Sequence, residues 1–197
     1  MEAVEQPAIA SSQRAGATTA PTSIPFDAGR LDALMDEAGI DALVVTSKHN
    51  IQYLLGGYRF FFFDHFDAIG VSRYLPILVY VKGRPERAAY IGHPMERYEQ
   101  ELGRFWVRTF KASARTSTDG IEAAIDELAA LAPGAKRIGI ERAFLPADAE
   151  SALRTGLPQI ELVEAQLPLE RDAAGAGSLA DCERFRRRFD ARGRRRR

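Results

Sequence analysis

Residues 39–57 read GIDALVVTSKHNIQYLLGG, and this stretch indicates the fold class of the chain. Its apolar run at 40–45 is short and bounded by turn-forming residues, which favours a buried strand over a helix. The polar residues 46–50 predict a loop, and residues 51–55 predict a short helix that two glycines end. A buried strand followed closely by a helix is typical of a sheet with helices packed against it.

A helix is predicted immediately before this stretch. Its apolar residues recur at the three- and four-residue intervals of one helix face. These residues are Leu31, Leu34, Met35 and Ala38. Gly39 then supplies the C-terminal stop, because glycine readily adopts the left-handed backbone that ends many helices.

After the stretch, two strand-like runs at 74–81 and 87–91 flank a five-residue turn and predict an antiparallel hairpin. Pro76 indicates that the first strand lies at a sheet edge or begins there, since proline cannot donate a ladder hydrogen bond. Pro94 predicts the first residue of a helix that Gly103 ends. One face of that helix is apolar and consists of Met95, Tyr98 and Leu102.

Strands and helices alternate through the rest of the chain. Asp119 and Glu122 have the spacing of a capping box at the start of one helix, and Pro146 opens another. Strands are predicted at 105–110, 137–140 and 160–163. Because such alternation requires parallel pairing in part of the sheet, we predict an α/β domain at 26–169. Its mixed, partly parallel sheet has flanking helices and one antiparallel hairpin.

The two ends of the chain differ in composition from this domain. Residues 1–25 are rich in Ala, Ser, Thr, Pro and Gln without an apolar period, and they predict a disordered leader. Residues 170–197 are interpreted as a linker remnant and an arginine-rich tail, also disordered. Nine arginines between 184 and 197 give that tail a charge of about +8 and leave about −8 on the rest of the chain.

Composition disfavours several functional classes. The net charge of about −8 on residues 1–183 does not favour nucleic acid as a partner. No window approaches the roughly eighteen apolar residues of a membrane span, and the leader lacks the charged and apolar regions of a secretory signal. The single cysteine, Cys182, excludes an internal disulfide, so a cytoplasmic protein without membrane contact is predicted.

The sequence contains few motifs that carry catalysis. It has no GxxxxGK[ST] phosphate loop, no GxGxxG after a strand and no GxSxG nucleophile turn. Its three histidines, at 49, 65 and 93, form neither an HExxH nor an HxH pair. We therefore assign no catalytic residue, no metal ligand and no cofactor to this chain.

The densest group of reactive side chains is FFFFDHFD at 60–67. Asp64, His65 and Asp67 could ligate a metal, but two carboxylates and one imidazole make an incomplete ligand set. Packing of the aromatic rings in a core is one alternative. A contact surface is the other, and its candidate residues are Phe61, Phe62, Phe63, Asp64 and His65.

Asn50 and Tyr53 are the other candidates for a cleft or an interface. Asn50 stands where a loop gives way to a helix, so it either faces a substrate cleft or caps the helix, and the cap is favoured. Tyr53 is expected to pack its ring and to hydrogen-bond its hydroxyl group.

The stretch 39–57 resembles the start of the amino-terminal domain of the creatinase, prolidase and aminopeptidase P family. That family shows a helix ending in glycine, an Asp-Ala-Leu-like strand, a Thr-Ser turn and an Asn-x-x-Tyr-Leu-x-Gly element. The matching residues are Gly39, Asp41, Ala42, Leu43, Thr46, Ser47, Asn50, Tyr53, Leu54 and Gly56. The order of predicted elements also agrees through about residue 169, roughly three-quarters of the chain.

The resemblance implies a chain that serves an enzyme without carrying its catalytic residues. In the peptidases of that family a carboxy-terminal domain binds two divalent metals, commonly manganese or cobalt, which activate the attacking water. The amino-terminal domain builds the homo-oligomer interface and walls one side of the active-site cleft. The implied function is therefore the non-catalytic domain of an Xaa-Pro aminopeptidase- or dipeptidase-like metallohydrolase, with peptide substrate bound only where the second domain is present.

Three alternatives to this interpretation remain, two of which concern the residues beyond 169. Residues 167–171 resemble the family's approach to its linker, but DAAGAG at 172–177 departs from it, and one hypothesis is a change of reading frame near residue 172. A second reading takes the tail literally, as a binding module whose arginines attach nucleic acid or another anionic partner through phosphate contacts. A third holds that the chain is itself a hydrolase or lyase that acts unaided, which a test on an Xaa-Pro dipeptide with added manganese would show.

Overall fold

The computed structural model describes residues 23–61 and 74–175, in which strands and helices alternate. The helices are α1 (Ala28–Ala38), α2 (Lys48–Leu54), α3 (Arg97–Glu101), α4 (Ser117–Leu131), α5 (Ala147–Gly156) and α6 (Gln166–Gly175). The strands are β1 (Ala42–Val45), β2 (Ile77–Val81), β3 (Ala89–Gly92), β4 (Thr109–Ala112), β5 (Arg137–Ile140) and β6 (Glu161–Glu164). Single 3₁₀ turns occupy Pro85–Arg87, Pro94–Glu96 and Arg142–Phe144.

The strands form one sheet in the order β4-β3-β2-β1-β5-β6. β1 pairs in parallel with β5 and antiparallel with β2, so strand direction changes at the centre of the sheet. The pairs β3–β4 and β5–β6 are parallel, and β2–β3 is the predicted antiparallel hairpin. The prediction of a mixed, partly parallel sheet with flanking helices is confirmed, and the structure adds the antiparallel pair β1–β2.

The core lies on the central strands. Every residue of β1, β2 and β3 is buried, as expected for strands that are covered on both faces. Helix α4 packs on β2 and β3 and also contacts α5, while α6 packs against α1 and α2. Because β1 and β5 are parallel neighbours, their carboxyl ends lie side by side at one edge of the sheet.

Helix α1 begins and ends where the sequence predicts. The Asp27 carboxylate accepts a hydrogen bond from the Arg30 backbone N–H (3.0 Å) and caps the amino end. Gly39 adopts a left-handed φ of 64° at the carboxyl end. The face turned to the core consists of Leu31, Leu34 and Met35.

Two predicted boundaries are wrong. The strand predicted at 105–110 begins later, as β4 at Thr109–Ala112. Phe105, Trp106 and Val107 are buried but do not pair in the sheet. The Trp106 indole N–H donates to a carbonyl at the end of α2 (2.7 Å), which holds this segment away from the sheet. The capping box of α4 joins Thr116 to Asp119, so the helix starts one turn before the position predicted from Asp119 and Glu122.

The apolar face predicted after Pro94 is not part of the core. Met95 is 57%, Tyr98 64% and Leu102 48% exposed, although they lie on the 3₁₀ turn and short helix that the sequence predicts. The spacing of Met95, Tyr98 and Leu102 correctly predicts a helical segment, but their common face is exposed to solvent and does not pack on the core.

The described part of the domain extends past both predicted boundaries. Helix α6 continues to Gly175, where the prediction placed disorder from residue 170 onward, and Asp172 is fully buried. At the other end, Ile24 packs against the core from within the predicted leader. The rest of the leader, residues 62–73, Cys182 and the arginine-rich tail lie outside the described residues. None of the helices in the described ranges has the length and apolar character that crossing a bilayer requires.

Candidate functional site

A buried carboxylate holds the turn between β1 and α2. Glu141 directly follows β5, and because β5 runs parallel to β1, its side chain lies beside the residues that follow β1. Its Oε2 accepts hydrogen bonds from the backbone N–H groups of Thr46 (2.7 Å) and Ser47 (2.8 Å). Its Oε1 accepts from the Ser47 hydroxyl (2.5 Å) and the Asn50 side-chain amide (2.6 Å). These donors replace the water that a fully buried carboxylate loses.

Asn50 is not the helix cap, and its role in a cleft or an interface stays a prediction. Ser47 is the N-cap of α2, and its Oγ accepts from the Asn50 backbone N–H (3.3 Å). Asn50 itself lies in the first turn, is 2% exposed and points its amide at Glu141. The prediction of an Asn50 cap is wrong because the serine three residues earlier is the better placed acceptor, a spacing that the sequence displays.

A second buried carboxylate collects three tyrosine hydroxyls. Glu96 Oε1 accepts from the hydroxyl of Tyr74 (2.6 Å) and the backbone N–H of His93 (2.6 Å). Its Oε2 accepts from the hydroxyls of Tyr90 (2.8 Å) and Tyr58 (3.0 Å). Glu96 is fully buried, and the cluster joins the end of β3 to residues on either side of 62–73.

Burial governs the protonation of this cluster. It raises the pKa of the Glu96 carboxyl group, and the tyrosine hydroxyls that donate to it offset part of that rise. Burial, together with the charge of Glu96, raises the pKa values of Tyr58 and Tyr74 well above their ordinary range. The tyrosines therefore remain hydrogen-bond donors at any ordinary pH. Their hydrogen bonds to Glu96 fix the relative positions of the segments that carry them.

Of the stretch 60–67, the structure describes Phe60 and Phe61, of which only Phe61 is a candidate contact residue. Phe61 is 46% exposed, and its ring lies 4.7 Å from that of Phe60, which is buried and stacks against His93. Phe62, Phe63, Asp64 and His65, as well as Asp67 of the metal hypothesis, lie outside the described residues. Phe61 thus stands exposed beside the Glu96 cluster, and its role as a contact residue stays a prediction.

A third buried carboxylate anchors the last helix. Asp172 of α6 is fully buried, and its Oδ2 accepts from the Tyr53 hydroxyl (3.2 Å). The Arg30 guanidinium lies 4.0 Å from Oδ1. Burial raises the pKa of the Asp172 carboxyl group to about 6. Tyr53 also packs its ring against Phe26 (6.2 Å between centroids), so the expected packing and hydrogen bond of Tyr53 are confirmed.

Substituting Asp172 with Asn should flatten the dependence of stability on pH. Because the folded-state pKa is raised above that of the unfolded chain, the charged form destabilises the fold above about pH 6, and stability increases as pH falls toward 4. We expect this group to change the unfolding free energy by on the order of 2 kcal/mol between about pH 4 and pH 7. In Asp172→Asn, which keeps an acceptor for Tyr53, that contribution disappears. Urea unfolding across this range measures it, and parallel pH profiles for the two proteins would contradict the assignment.

The three fully buried acids of the described residues, Glu96, Glu141 and Asp172, are not predicted from the sequence. Each receives hydrogen bonds from partners far away in the chain: 91 to 95 residues for Glu141, 119 for Asp172 and up to 38 for Glu96. The one local signal is an acid directly after an apolar strand, as in IGIE at 138–141. Ser47, Asn50 and Tyr53 of the stretch 39–57 donate hydrogen bonds to these acids and so help to stabilise the fold.

The family's metal pair does not fit the described residues. Across 23–61 and 74–175, no three His, Cys, Asp or Glu side chains are grouped in a way that could hold an ion. Moreover, the Glu141 and Glu96 carboxylates face N–H and O–H donors, which suit an anion and oppose a cation. Glu141 and Glu96 therefore serve as hydrogen-bond acceptors within the domain.

Solved structures share this fold. An Xaa-Pro dipeptidase from Bacillus anthracis superposes with a TM-score of 0.53 at 18% identity, over 73% of this chain and 34% of that one. The N-terminal domain of the cytoplasmic peptidase PepQ from Mycobacterium tuberculosis gives 0.53 at 17% identity, over 73% and 95%. A proline dipeptidase from Streptococcus pneumoniae gives 0.54 at 15% identity, over 74% and 96%. At these identities the likeness is one of fold.

Sequence comparison gives the family. No curated protein matches the chain in sequence. The model of the creatinase/prolidase N-terminal domain matches residues 28–172, which includes α1, all six strands and the buried Asp172. In the structural superposition, this chain spans about a third of the Bacillus anthracis dipeptidase. This chain therefore belongs to the creatinase/prolidase N-terminal domain family.

Proposed function

We propose that this chain acts as the non-catalytic, amino-terminal domain of an Xaa-Pro aminopeptidase- or dipeptidase-like metallohydrolase. The observation that carries the proposal is the family match over residues 28–172, in a fold that occupies about a third of the Bacillus anthracis Xaa-Pro dipeptidase. In this proposal a second domain holds the divalent metals and the peptide, and the present domain walls the substrate cleft and contacts another copy.

The use of the buried acids supports a non-catalytic role. A catalytic carboxylate needs access to substrate or to a metal, whereas Glu141, Glu96 and Asp172 have no exposed surface. Their oxygens receive hydrogen bonds from backbone, tyrosine and serine groups of the same domain. Side chains arranged in this way stabilise turns and helix positions.

Exposed apolar side chains support the contact role. Tyr98, Leu102 and Met95 lie exposed on α3 and the turn before it, and Phe61 is exposed beside the Glu96 cluster. Large apolar groups that stand together on a surface mark protein interfaces. We propose that these residues face another chain or domain of the assembly. A cytoplasmic location accords with the PepQ neighbour, which is named a cytoplasmic peptidase.

The proposal predicts that the purified chain does not hydrolyse an Xaa-Pro dipeptide. With Mn²⁺ or Co²⁺ added, release of proline should equal that of a mock preparation from cells without the gene, because the attacking water lacks a metal site. Light scattering of the same sample should give a mass above the 21.8 kDa of one chain. The substitution Tyr98→Glu should reduce that mass to one chain, while Arg108→Glu, an exposed control, should not. Metal-dependent turnover would refute the non-catalytic role, and a mass of one chain for the wild type would refute the contact role.

A further inference from the structure

Helix α6 buries few side chains on the rest of the domain. Of its ten residues only Leu169 and Asp172 are buried, and Leu167 is 64% exposed. The helix packs against α1 and α2 at the end of the described chain. Segments with little buried apolar surface open locally at a lower free energy than the whole domain. The docking of α6 therefore depends strongly on the one polar side chain that it buries.

The buried carboxyl group of Asp172 has few hydrogen-bond donors around it. Its Oδ2 accepts from the Tyr53 hydroxyl (3.2 Å), but among the residues that the structure describes its Oδ1 accepts from none. Glu141, which is equally buried, accepts four hydrogen bonds. A buried charge with so few donors is costly, whereas a neutral carboxyl group can accept from or donate to the same tyrosine. The docked geometry therefore favours the protonated form of Asp172.

Arg30 of α1 compensates the charge of Asp172 only in part. Its guanidinium lies 4.0 Å from Oδ1, beyond hydrogen-bond distance, and is nearly half exposed to water, which screens the attraction. The same guanidinium donates to the backbone carbonyl of Arg171 (3.1 Å) and lies against Gly175, where a β-carbon would overlap it. An arginine is favoured there because it neutralises the carbonyl end of a helix. Moving Arg30 onto Asp172 would give up this hydrogen bond.

The other titratable groups that face Asp172 do not supply a positive charge. Asp27, the N-cap of α1, is itself an acid, and its charge opposes ionisation of Asp172. Tyr80 of β2 stays protonated, because burial and its hydrogen bond to Asp32 raise its pKa well above the ordinary range, and the charge of Asp172 adds to that rise. An ionised Asp172 is therefore left with Arg30 as its source of compensating charge within the described residues.

The charged neighbours of Asp172 on α6 itself are exposed. Arg171 forms an ion pair with Glu37 of α1 (3.1 Å), and Glu170 accepts from the Gln166 side chain (2.8 Å). Exposed pairs of this kind contribute little to stability. Asp172 is therefore the titratable group of α6 that docking encloses.

We propose that α6 is a pH-dependent switch: it docks on α1 and α2 while Asp172 carries a proton, and loss of that proton to solvent favours its release. Burial raises the pKa of the docked Asp172 carboxyl group from its ordinary value of 3.8 to about 6. Because the docked pKa lies above that of the released chain, docking is strongest below about pH 4 and weakens as the pH rises through about 6. The proposal goes beyond the function proposed above and does not depend on it, because docking of α6 is a property of this domain alone.

Hydrogen exchange of the 197-residue chain, measured by mass spectrometry of its peptides, tests the proposal. A released helix of ten residues is too short to persist in water, so its amides exchange. Dividing each measured rate by the intrinsic rate at the same pH gives the open fraction of the helix. The two pKa values predict an open fraction about 50-fold larger at pH 7.5 than at pH 4. At pH 7.5, α6 should also be open more often than β1 and β2 of the core.

Two variants locate the effect at Asp172. Asp172→Asn keeps an acceptor for Tyr53 and cannot ionise, so the open fraction of α6 should be the same at both pH values once intrinsic rates are divided out. Glu170→Gln is the matched control, because Glu170 is an exposed acid on the same helix. This control should keep the dependence of about 50-fold.

Each outcome decides the proposal. It stands if α6 opens without the core strands, if its open fraction rises with pH, and if Asp172→Asn alone abolishes that rise. It is overturned if the open fraction of wild-type α6 does not change with pH, if Asp172→Asn keeps the change, or if α6 opens only as often as β1 and β2. None of these outcomes bears on whether a second domain performs hydrolysis.

Discussion

Glu141→Ala is expected to lower the unfolding free energy by about 3–5 kcal/mol, enough to leave this domain marginally stable. The substitution removes the acceptor of four hydrogen bonds, from two backbone N–H groups, one hydroxyl and one amide. Each buried donor without a partner costs about 1–3 kcal/mol, and water entering the vacated space recovers part of the total. Urea unfolding measures the change.

The variant Glu141→Gln keeps the volume of the side chain but removes its charge and one of its two acceptor oxygens. Comparison with Glu141→Ala therefore separates the effect of the carboxylate from the effect of the lost volume. An amide nitrogen at the Oε2 position would face two backbone N–H groups, which cannot accept, and at the Oε1 position it would force both the Ser47 hydroxyl and the Asn50 amide to reorient in order to accept. We expect a cost of about 2–3 kcal/mol, while the exposed Glu122→Ala should stay within about 0.5 kcal/mol. A Glu141→Gln protein as stable as the wild type would show that the turn does not need a carboxylate.

Glu96→Ala should also be strongly destabilising, by about 3–4 kcal/mol, because three tyrosine hydroxyls and the His93 N–H lose their acceptor. The response to glutamine should differ from that at Glu141. Tyrosine hydroxyls rotate and can accept from an amide N–H, whereas backbone N–H groups cannot. In addition, burial raises the pKa of Glu96, so the neutral amide avoids the cost of a buried charge.

We therefore expect Glu96→Gln to cost only about 1 kcal/mol at neutral pH. Its stability should also vary less with pH than that of the wild type, whose Glu96, with its raised pKa, destabilises the fold once it ionises. The control is Glu86→Ala, an exposed acid in the turn of the β2–β3 hairpin. Equal losses for glutamine and alanine at position 96 would contradict the distinction between rotatable and fixed donors.

Local patterns predicted the elements that local interactions determine. The face and stop of α1, strand β5 at 137–140, and the β2–β3 hairpin follow from spacing, glycine and proline alone. Two errors arose where distant contacts override propensity. Phe105, Trp106 and Val107 have the pattern of a strand, yet they are buried in the core without pairing in the sheet, and the Trp106 indole donates to the Leu54 carbonyl of α2.

The second error concerns helix α6, which lies beyond the predicted end of the domain at residue 169. Its sequence QLPLERDAAG carries a proline and ends in glycine, so no local pattern predicts that the domain extends past residue 169. The helix packs on α1, where Arg30 donates to the carbonyl of Arg171 (3.1 Å) and lies near Asp172. Proline is tolerated because it lies in the first turn, where its missing N–H removes no helical hydrogen bond. Such docking is visible only once α1 and α6 are brought together.

The candidate site was predictable in part. The stretch 39–57 identified the family, and the packing role expected for Tyr53 is confirmed. What the stretch could not reveal is the acid at the far end of its hydrogen bonds, because Glu141 and Asp172 lie on elements about a hundred residues later. In this structure the Ser47, Asn50 and Tyr53 side chains form hydrogen bonds within the domain.

The metal content of the purified chain tests the proposed function most directly. After dialysis of the 197-residue protein against Mn²⁺ and then against metal-free buffer, elemental analysis should find far less than one ion per chain. The reason is that the Glu141 and Glu96 carboxylates are enclosed by hydrogen-bond donors of their own domain, and the described residues contain no group of three side chains that could hold an ion. About two tightly held ions per chain, the stoichiometry of a hydrolytic metal pair, would contradict the account.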